Sequence, residues 1–177
     1  IAFLPGSRTQ EIKTMLPIFL SIINDYPNYN FVIAGVNNVD PKLYNLAAYS
    51  NLFIIYNKTY DLLTNSFAAI VTSGTASLEC SLFKVPQLVC YKTSYLSYFI
   101  GKLFVKIRNI SLVNIILEKD VVKELIQHNL NKKNLASEFN KLCEQETRLK
   151  IIREYSKIFD LLSVRDTSKK IASSIIS

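Results

Sequence analysis

A chain of 177 residues is long enough to bury the core of one sizeable α/β domain, and its composition, 49% hydrophobic and 20% charged, excludes a disordered or collagen-like polypeptide. Lys and Arg outnumber Asp and Glu by 21 to 14, and the formal charge of +7 favours anionic partners (nucleotide, nucleic acid or an acidic membrane surface) without choosing among them. Three cysteines without CxxC spacing and a single histidine, His128, leave little material for a disulfide framework, a zinc site or a Ser-His-Asp triad, so a reducing compartment and no metal are expected.

The chain opens on an apolar run, IAFL (1–4), followed by PGSR (5–8). The stretch TQEIKTMLPIFLSIIND (9–25) then places Ile12, Met15, Leu16, Phe19, Leu20 and Ile23 at helical spacing. A second run, NFVIAG (30–35), precedes a short helical candidate at 40–50, and LFIIY (52–56) precedes another at 59–67. AAIVT (68–72) leads through SGT into a helix, and QLVCY (87–91) is the fifth run. These runs are continuous rather than alternating, the pattern of strands buried on both faces of a parallel sheet. The expected fold is therefore α/β, a Rossmann-like doubly wound parallel sheet with helices on both faces. From about residue 121 the strand signal is lost and residues 120–162 read as consecutive amphipathic helices, with a last helix beginning near Asp166. The expected division is a core over 1–120 and C-terminal helices over 121–177. No apolar run approaches the roughly eighteen residues of a membrane span.

Open parallel sheets bind ligands beyond the carboxyl ends of their strands, where helix N-termini present unpaired N–H groups and a partial positive charge. After the first strand, Gly6 permits a tight turn, Ser7 offers a hydroxyl and Arg8 a planar donor fork suited to phosphate. After the fourth, Gly74 admits a ligand to the backbone, flanked by Ser73, Thr75 and Ala76, with Thr75 and Ser73 able to cap the helix or bond an anion. Glu79 falls one turn further in, where a carboxylate can accept two hydrogen bonds from a ribose diol. Each motif also has a purely structural reading, a turn, a helix cap and a solvated glutamate. Neither is a P-loop or a GxGxxG fingerprint.

Residues 80–117 after Cys80 contain no acidic group until Glu118 but include Lys84, Lys92, Lys102, Lys106 and Arg108. Within this stretch Leu96, Phe99, Ile100, Leu103, Phe104 and Ile107 recur at helical spacing, and Tyr98 and Val105 add apolar surface on the other side. The pattern suits contact with an anionic membrane through Tyr98, Phe99, Lys102, Val105, Lys106 and Arg108, or an ordinary helix packed on the sheet. No nucleic-acid recognition motif accompanies the charge.

LPGSRTQEIKTMLPIFL, the stretch from VTSGTASLE to ISLVNIIL, and VVKELIQ together resemble the C-terminal half of the lipid-A-disaccharide synthase family. The resemblance covers residues 1 to about 130. It implies a GT-B architecture of two Rossmann-like domains, with this chain as the nucleotide-sugar-binding half and the N-terminal acceptor domain lying outside it. It implies transfer of 2,3-diacylglucosamine from its UDP derivative to 2,3-diacylglucosamine 1-phosphate, with inversion and release of UDP, without cofactor or metal. It implies a cytoplasmic enzyme peripheral to the inner membrane, with a homodimer as an open expectation. Carried over residue by residue, Gly6, Ser7 and Arg8 match the family's glycine-serine-arginine turn, with Arg8 on a phosphate. Ser73, Gly74, Thr75 and Ala76 match the diphosphate loop, and Glu79 the ribose glutamate. Asn114 matches the polar end of a serine-leucine-proline-asparagine motif in which Val113 here replaces proline. Arg8 and Asn114 are thereby the expected catalytic residues, and Tyr91 the expected neighbour of uracil or ribose. The remaining alternatives are a GT-B transferase or epimerase half using another UDP-sugar, and a non-catalytic Rossmann-like binding module.

Overall fold

In the computed structural model, residues 1–44, 48–92 and 109–162 are described. Six parallel strands form one sheet: β1 (Ala2–Leu4), β2 (Phe31–Gly35), β3 (Leu52–Tyr56), β4 (Ala69–Thr72), β5 (Gln87–Tyr91) and β6 (Lys123–Ile126). Their spatial order is β3-β2-β1-β4-β5-β6. The chain steps from β1 outward to β3, returns to the centre at β4, and steps outward again on the other side. Right-handed crossovers therefore place the helix after β1 and the helix after β4 on opposite faces of the sheet. The doubly wound fold expected from the continuous apolar runs is present.

Burial explains why those runs lack polar alternation. Every residue of β1 and β4 is buried, whereas the edge strands β3 and β6 are largely half-exposed. Phe3 of β1 packs against Phe19 and Phe31, with ring centroids 5.5 and 5.0 Å apart. Phe19 lies on α1 (Thr9–Leu20), whose buried residues Ile12, Met15, Leu16 and Phe19 are those the helical period selects. Pro17 sits on the outward side of this helix, where its ring does not meet the core.

The expected helix at 59–67 is α2 (Thr59–Thr64). It stops early because Asn65 Nδ2 and Ser66 Oγ donate to the carbonyls of Asp61 and Leu62, satisfying the helix end with side chains. The candidate at 40–50 includes the 3-10 turn Pro41–Tyr44, and residues 45–47 lie outside the described residues. α3 (Thr75–Leu82) follows β4, and α4 (Leu112–Ile116) precedes β6. The C-terminal helices are α5 (Lys132–Cys143), packed on β5 and β6, and α6 (Gln145–Leu162), packed on α3 and α5. The expected helix near Asp166 lies outside the described residues.

One expectation is corrected. The segment read as helical from residue 121 begins with β6, so the sheet continues past residue 120. The sequence VVKELIQ hides it because an edge strand needs only one well-buried side chain, Leu125, and its Lys123 and Glu124 interrupt the apolar run. Pairing with β5, from Leu88 opposite Lys123 to Tyr91 opposite Ile126, makes it a strand.

Candidate functional site

β1 and β4 are neighbours, with Leu4 opposite Val71, although 64 residues lie between the end of β1 at Leu4 and the start of β4 at Ala69. They leave the sheet centre in opposite directions, so the crevice beyond their carboxyl ends is the topological switch point. The turns PGSR and SGT meet there. A cleft of about 440 Å³ is lined by Gly6, Ser7, Arg8, Glu11, Thr72, Ser73, Gly74, Thr75, Ala76 and Glu79, with Leu4, Ala34, Val36 and Thr59 completing its wall.

The two turns are built differently. Gly6 has φ +114°, a conformation that disfavours any side chain, and it turns the backbone so that Ser7 and Arg8 lead into α1, with Arg8 as its N-cap. The Glu11 carboxylate folds back over this turn. Its Oε2 accepts from the N–H groups of Ser7 (3.1 Å) and Arg8 (3.4 Å), and its Oε1 from Arg8 Nη1 (3.1 Å). The Arg8 side chain is otherwise 82% exposed, facing solvent at the cleft mouth.

At the second turn Gly74 is the N-cap of α3 with φ +156°, and no side chain among the described residues caps that helix. The first N–H groups of a helix have no intrahelical partner, so this end is left to a ligand or to water. A Cβ added at Gly74 would meet no atom within 4 Å, since it would project into open space. Ser73 is committed backwards: its N–H donates to Cys90 (2.9 Å) and its Oγ to the carbonyl of Ile110 (2.9 Å). It therefore fixes the turn and keeps only oxygen lone pairs for a ligand. Thr72, 7% exposed, has a hydroxyl with no hydrogen-bond partner among the described residues.

Glu79 is half-buried and borders both this cleft and an adjoining space of about 550 Å³ lined by Asn57, Lys58, Thr59, Tyr60 and Asp61. Asn57 holds φ +55° at the end of β3, a left-handed conformation that asparagine tolerates, and this aims the segment into the α2 turn.

Two expected site residues are placed elsewhere. Tyr91 ends β5, half-buried, and does not line the cleft among the described residues. Asn114 is 1% exposed and its amide is fully used. Nδ2 donates to Val122 O (2.8 Å) and Glu124 Oε1 (2.9 Å), and Oδ1 accepts from the N–H groups of Val121 and Val122 (2.8 and 2.9 Å). The inward-facing amide therefore has no free donor or acceptor left. Glu124 in turn accepts from the N–H groups of Ile110 and Ser111 (2.9 and 3.0 Å). Asn114 and Glu124 thus hold Ile110, whose carbonyl holds Ser73. Tyr98, Phe99, Lys102, Val105, Lys106 and Arg108 lie outside the described residues.

Glu11, Thr72 and Thr59 belong to the cleft but were not found by sequence reasoning. A carboxylate at the third helical position was a signal for Glu11, since such residues fold back on the helix start. Thr72 and Thr59 carried no separate signal.

A second cavity, about 270 Å³, opens at the opposite end of the sheet between the starts of β5 and β6 and the helices α5 and α6. Its Lys119 and Lys141 are paired with Glu154 and Glu138 at 2.8 and 2.7 Å. Cys80 and Cys90 are buried, and burial pushes their thiols far up from the ordinary range. Among the described residues no group of three or more His, Cys, Asp or Glu is arranged to hold a metal, and no helix is long and apolar enough to cross a membrane.

The architecture recurs in solved structures. A Listeria monocytogenes chain assigned as a UDP-N-acetylglucosamine 2-epimerase superposes with TM-score 0.57 at 15% identity, over 94% of this chain and 45% of its own. The Streptomyces nogalater glycosyltransferase SnogD gives 0.52 at 18% identity, over 88% and 39%. At these identities the likeness concerns the fold, a Rossmann-like sheet of the kind that forms half of a GT-B enzyme. Sequence relatives are nearer. The lipid-A-disaccharide synthase of Psychromonas ingrahamii is 34% identical over 185 residues, 99% of this chain and 48% of the relative. That of Persephonella marina is 37% identical over 144 residues, 75% and 38%. The chain spans about half the length of the first of these relatives. A family model described as lipid-A-disaccharide synthetase matches residues 1–176, and with that match the chain belongs to the lipid-A-disaccharide synthase family.

Proposed function

We propose that this chain is the C-terminal, UDP-sugar-binding half of a GT-B lipid-A-disaccharide synthase. The reaction is transfer of 2,3-diacylglucosamine from its UDP derivative to 2,3-diacylglucosamine 1-phosphate, inverting the anomeric centre and releasing UDP. The observation that carries the reading is the meeting of the glycine-serine-arginine turn and the uncapped start of α3 in one cleft at the switch point.

The chemistry follows from charge. As the glycosidic bond breaks, negative charge grows on the leaving diphosphate, and donors already aimed at it lower the barrier without rearranging. The uncapped start of α3 is such a set of donors, and the N–H groups of the β1–α1 turn and Arg8 join it once the Glu11 carboxylate bonded to them gives way. Glu79, lying between the turns and the space beside Asn57 to Asp61, suits a ribose whose phosphates point into the cleft and whose base points the other way. In this reading Asn114 acts as a positioning residue through Glu124, Ile110 and Ser73. The base that deprotonates the acceptor hydroxyl comes from the partner domain, so this chain binds UDP without turning over. The basic, aromatic sequence from Tyr98 to Arg108 serves contact with the cytoplasmic face of an anionic membrane, where both lipid substrates reside.

Calorimetry with UDP tests this. The chain should bind UDP, and Arg8→Ala should weaken binding by about tenfold, the loss of one charge-assisted hydrogen bond. No heat at millimolar UDP would remove the nucleotide reading, and synthase activity from the 177-residue chain alone would remove the divided active site.

A further inference from the structure

The cleft read above as a diphosphate site already holds an anion of its own. Three donors facing it, the N–H groups of Ser7 and Arg8 and the Arg8 guanidinium, are occupied by the carboxylate of Glu11. The fit is close, since a Cβ at Gly6 would lie 2.5 Å from Glu11 Oε2. These are the groups that a phosphate approaching the start of α1 would need. Two anions cannot share them.

A carboxylate at this helical position is a common cap, and on that ground alone it would mean nothing more. The second observation comes from the neighbouring strand. Thr72 lines the same cleft, is more than nine-tenths buried, and its Oγ1 has no partner among the described residues. A buried hydroxyl is normally paired, so this one is placed for an acceptor or donor that arrives from outside. Glu11 cannot be expected to serve it while bonded to the first turn. The cleft therefore combines donors filled by a surrogate with a hydroxyl left waiting.

We propose that Glu11 is a displaceable internal competitor that sets the charge a ligand must bring. On the diphosphate reading of the cleft, the incoming ligand expels the Glu11 carboxylate, takes the N–H groups of Ser7 and Arg8, frees the Arg8 guanidinium to bond phosphate, and meets Thr72 on its other side. The Glu11 side chain is one-third exposed, so it can turn to water without crossing the core. A ligand with a single negative charge gains little, because it replaces one anion by another of equal charge. A diphosphate brings more charge to the same donors and wins. The same competition hastens release, since the carboxylate returns as the product leaves.

Calorimetry on the wild-type chain and on Glu11→Gln, with uridine, inorganic pyrophosphate and UDP, decides the matter. Glutamine keeps the reach and can still accept from the turn, but without charge. Binding of UDP and of pyrophosphate should tighten about fivefold, as expected for removing an exposed charge from charge-assisted bonds, while uridine is unaffected. If wild type binds UDP and Glu11→Gln binds it no more tightly, the competitor is overturned and the diphosphate cleft stands. If pyrophosphate tightens but UDP does not bind, the competitor stands and the nucleotide reading falls. If neither anion binds either protein, both fall. Should the variant not fold, amide NMR of the wild type answers instead: displacement requires the Ser7 and Arg8 N–H signals to shift on saturation with pyrophosphate, and unchanged signals overturn it.

Discussion

The two turns at the switch point use similar residues and solve the same problem in opposite ways. The β1–α1 turn is closed by its own helix, through a glutamate four residues or fewer along the chain. The β4–α3 turn is left uncapped at the front and secured from behind by partners far away in sequence, Ser73 to Ile110 across 37 residues. A local clamp can open by rotating one side chain. A long-range clamp holds unless the tertiary structure loosens. The first turn is thus suited to exchange its occupant and the second to hold a fixed geometry, the division that the proposed diphosphate site needs.

The largest effect should come from breaking the rear support. Asn114→Ala removes four hydrogen bonds inside the protein, and we expect a loss of roughly 3 kcal/mol of stability and a fall in Tm of roughly 6–12 °C, read by thermal melting. Hydrogen exchange should then quicken at Ser73 and Gly74 while Ser7 and Arg8 keep their rates. Equal quickening at both turns would erase the contrast between them.

Gly74→Val acts on the front of the second turn. Forcing a branched residue to adopt φ +156° costs about 1–3 kcal/mol, and the new side chain would enter the open cleft. UDP affinity should drop about tenfold or more by calorimetry, the size of losing one charge-assisted contact. Native affinity would reduce this turn to a helix start without a ligand.

The smallest effect is expected outside both turns. Glu154 is held at a pKa of about 2 by hydrogen bonds from Lys119 and Lys157, below its ordinary 4.5. A carboxyl whose folded value is depressed stabilises the fold above its unfolded pKa and loses that contribution as the pH falls toward the folded value. Glu154→Gln should therefore flatten part of the acid sensitivity between pH 4.5 and 2 in a series of melts, and leave UDP binding unchanged. A changed affinity would mean that the far end of the sheet is coupled to the cleft.

Much of the site's chemistry could be read without coordinates, because it lies in contiguous residues. Gly6-Ser7-Arg8 and Ser73-Gly74-Thr75 follow apolar runs directly, and a strand end followed by a helix start is a local event. What stayed hidden depended on direction or distance. Glu11 looked like one more polar position of α1 until its carboxylate was seen over the turn. Asn114 looked like a polar group available for catalysis, but its amide faces inward to the segment that leads into β6. β6 itself is a strand only because β5 offers an edge.

The layer architecture is legible in the order of the amino acids alone. Strands buried on both faces must be continuously apolar, and α1 must repeat its apolar residues at the helical period, so both patterns are written in neighbouring positions. That β1 lies beside β4 rather than at an edge emerges from the packed sheet. Strand order is set by which pairings close one sheet with right-handed crossovers and bury both its faces, a balance over the whole chain that no single segment records.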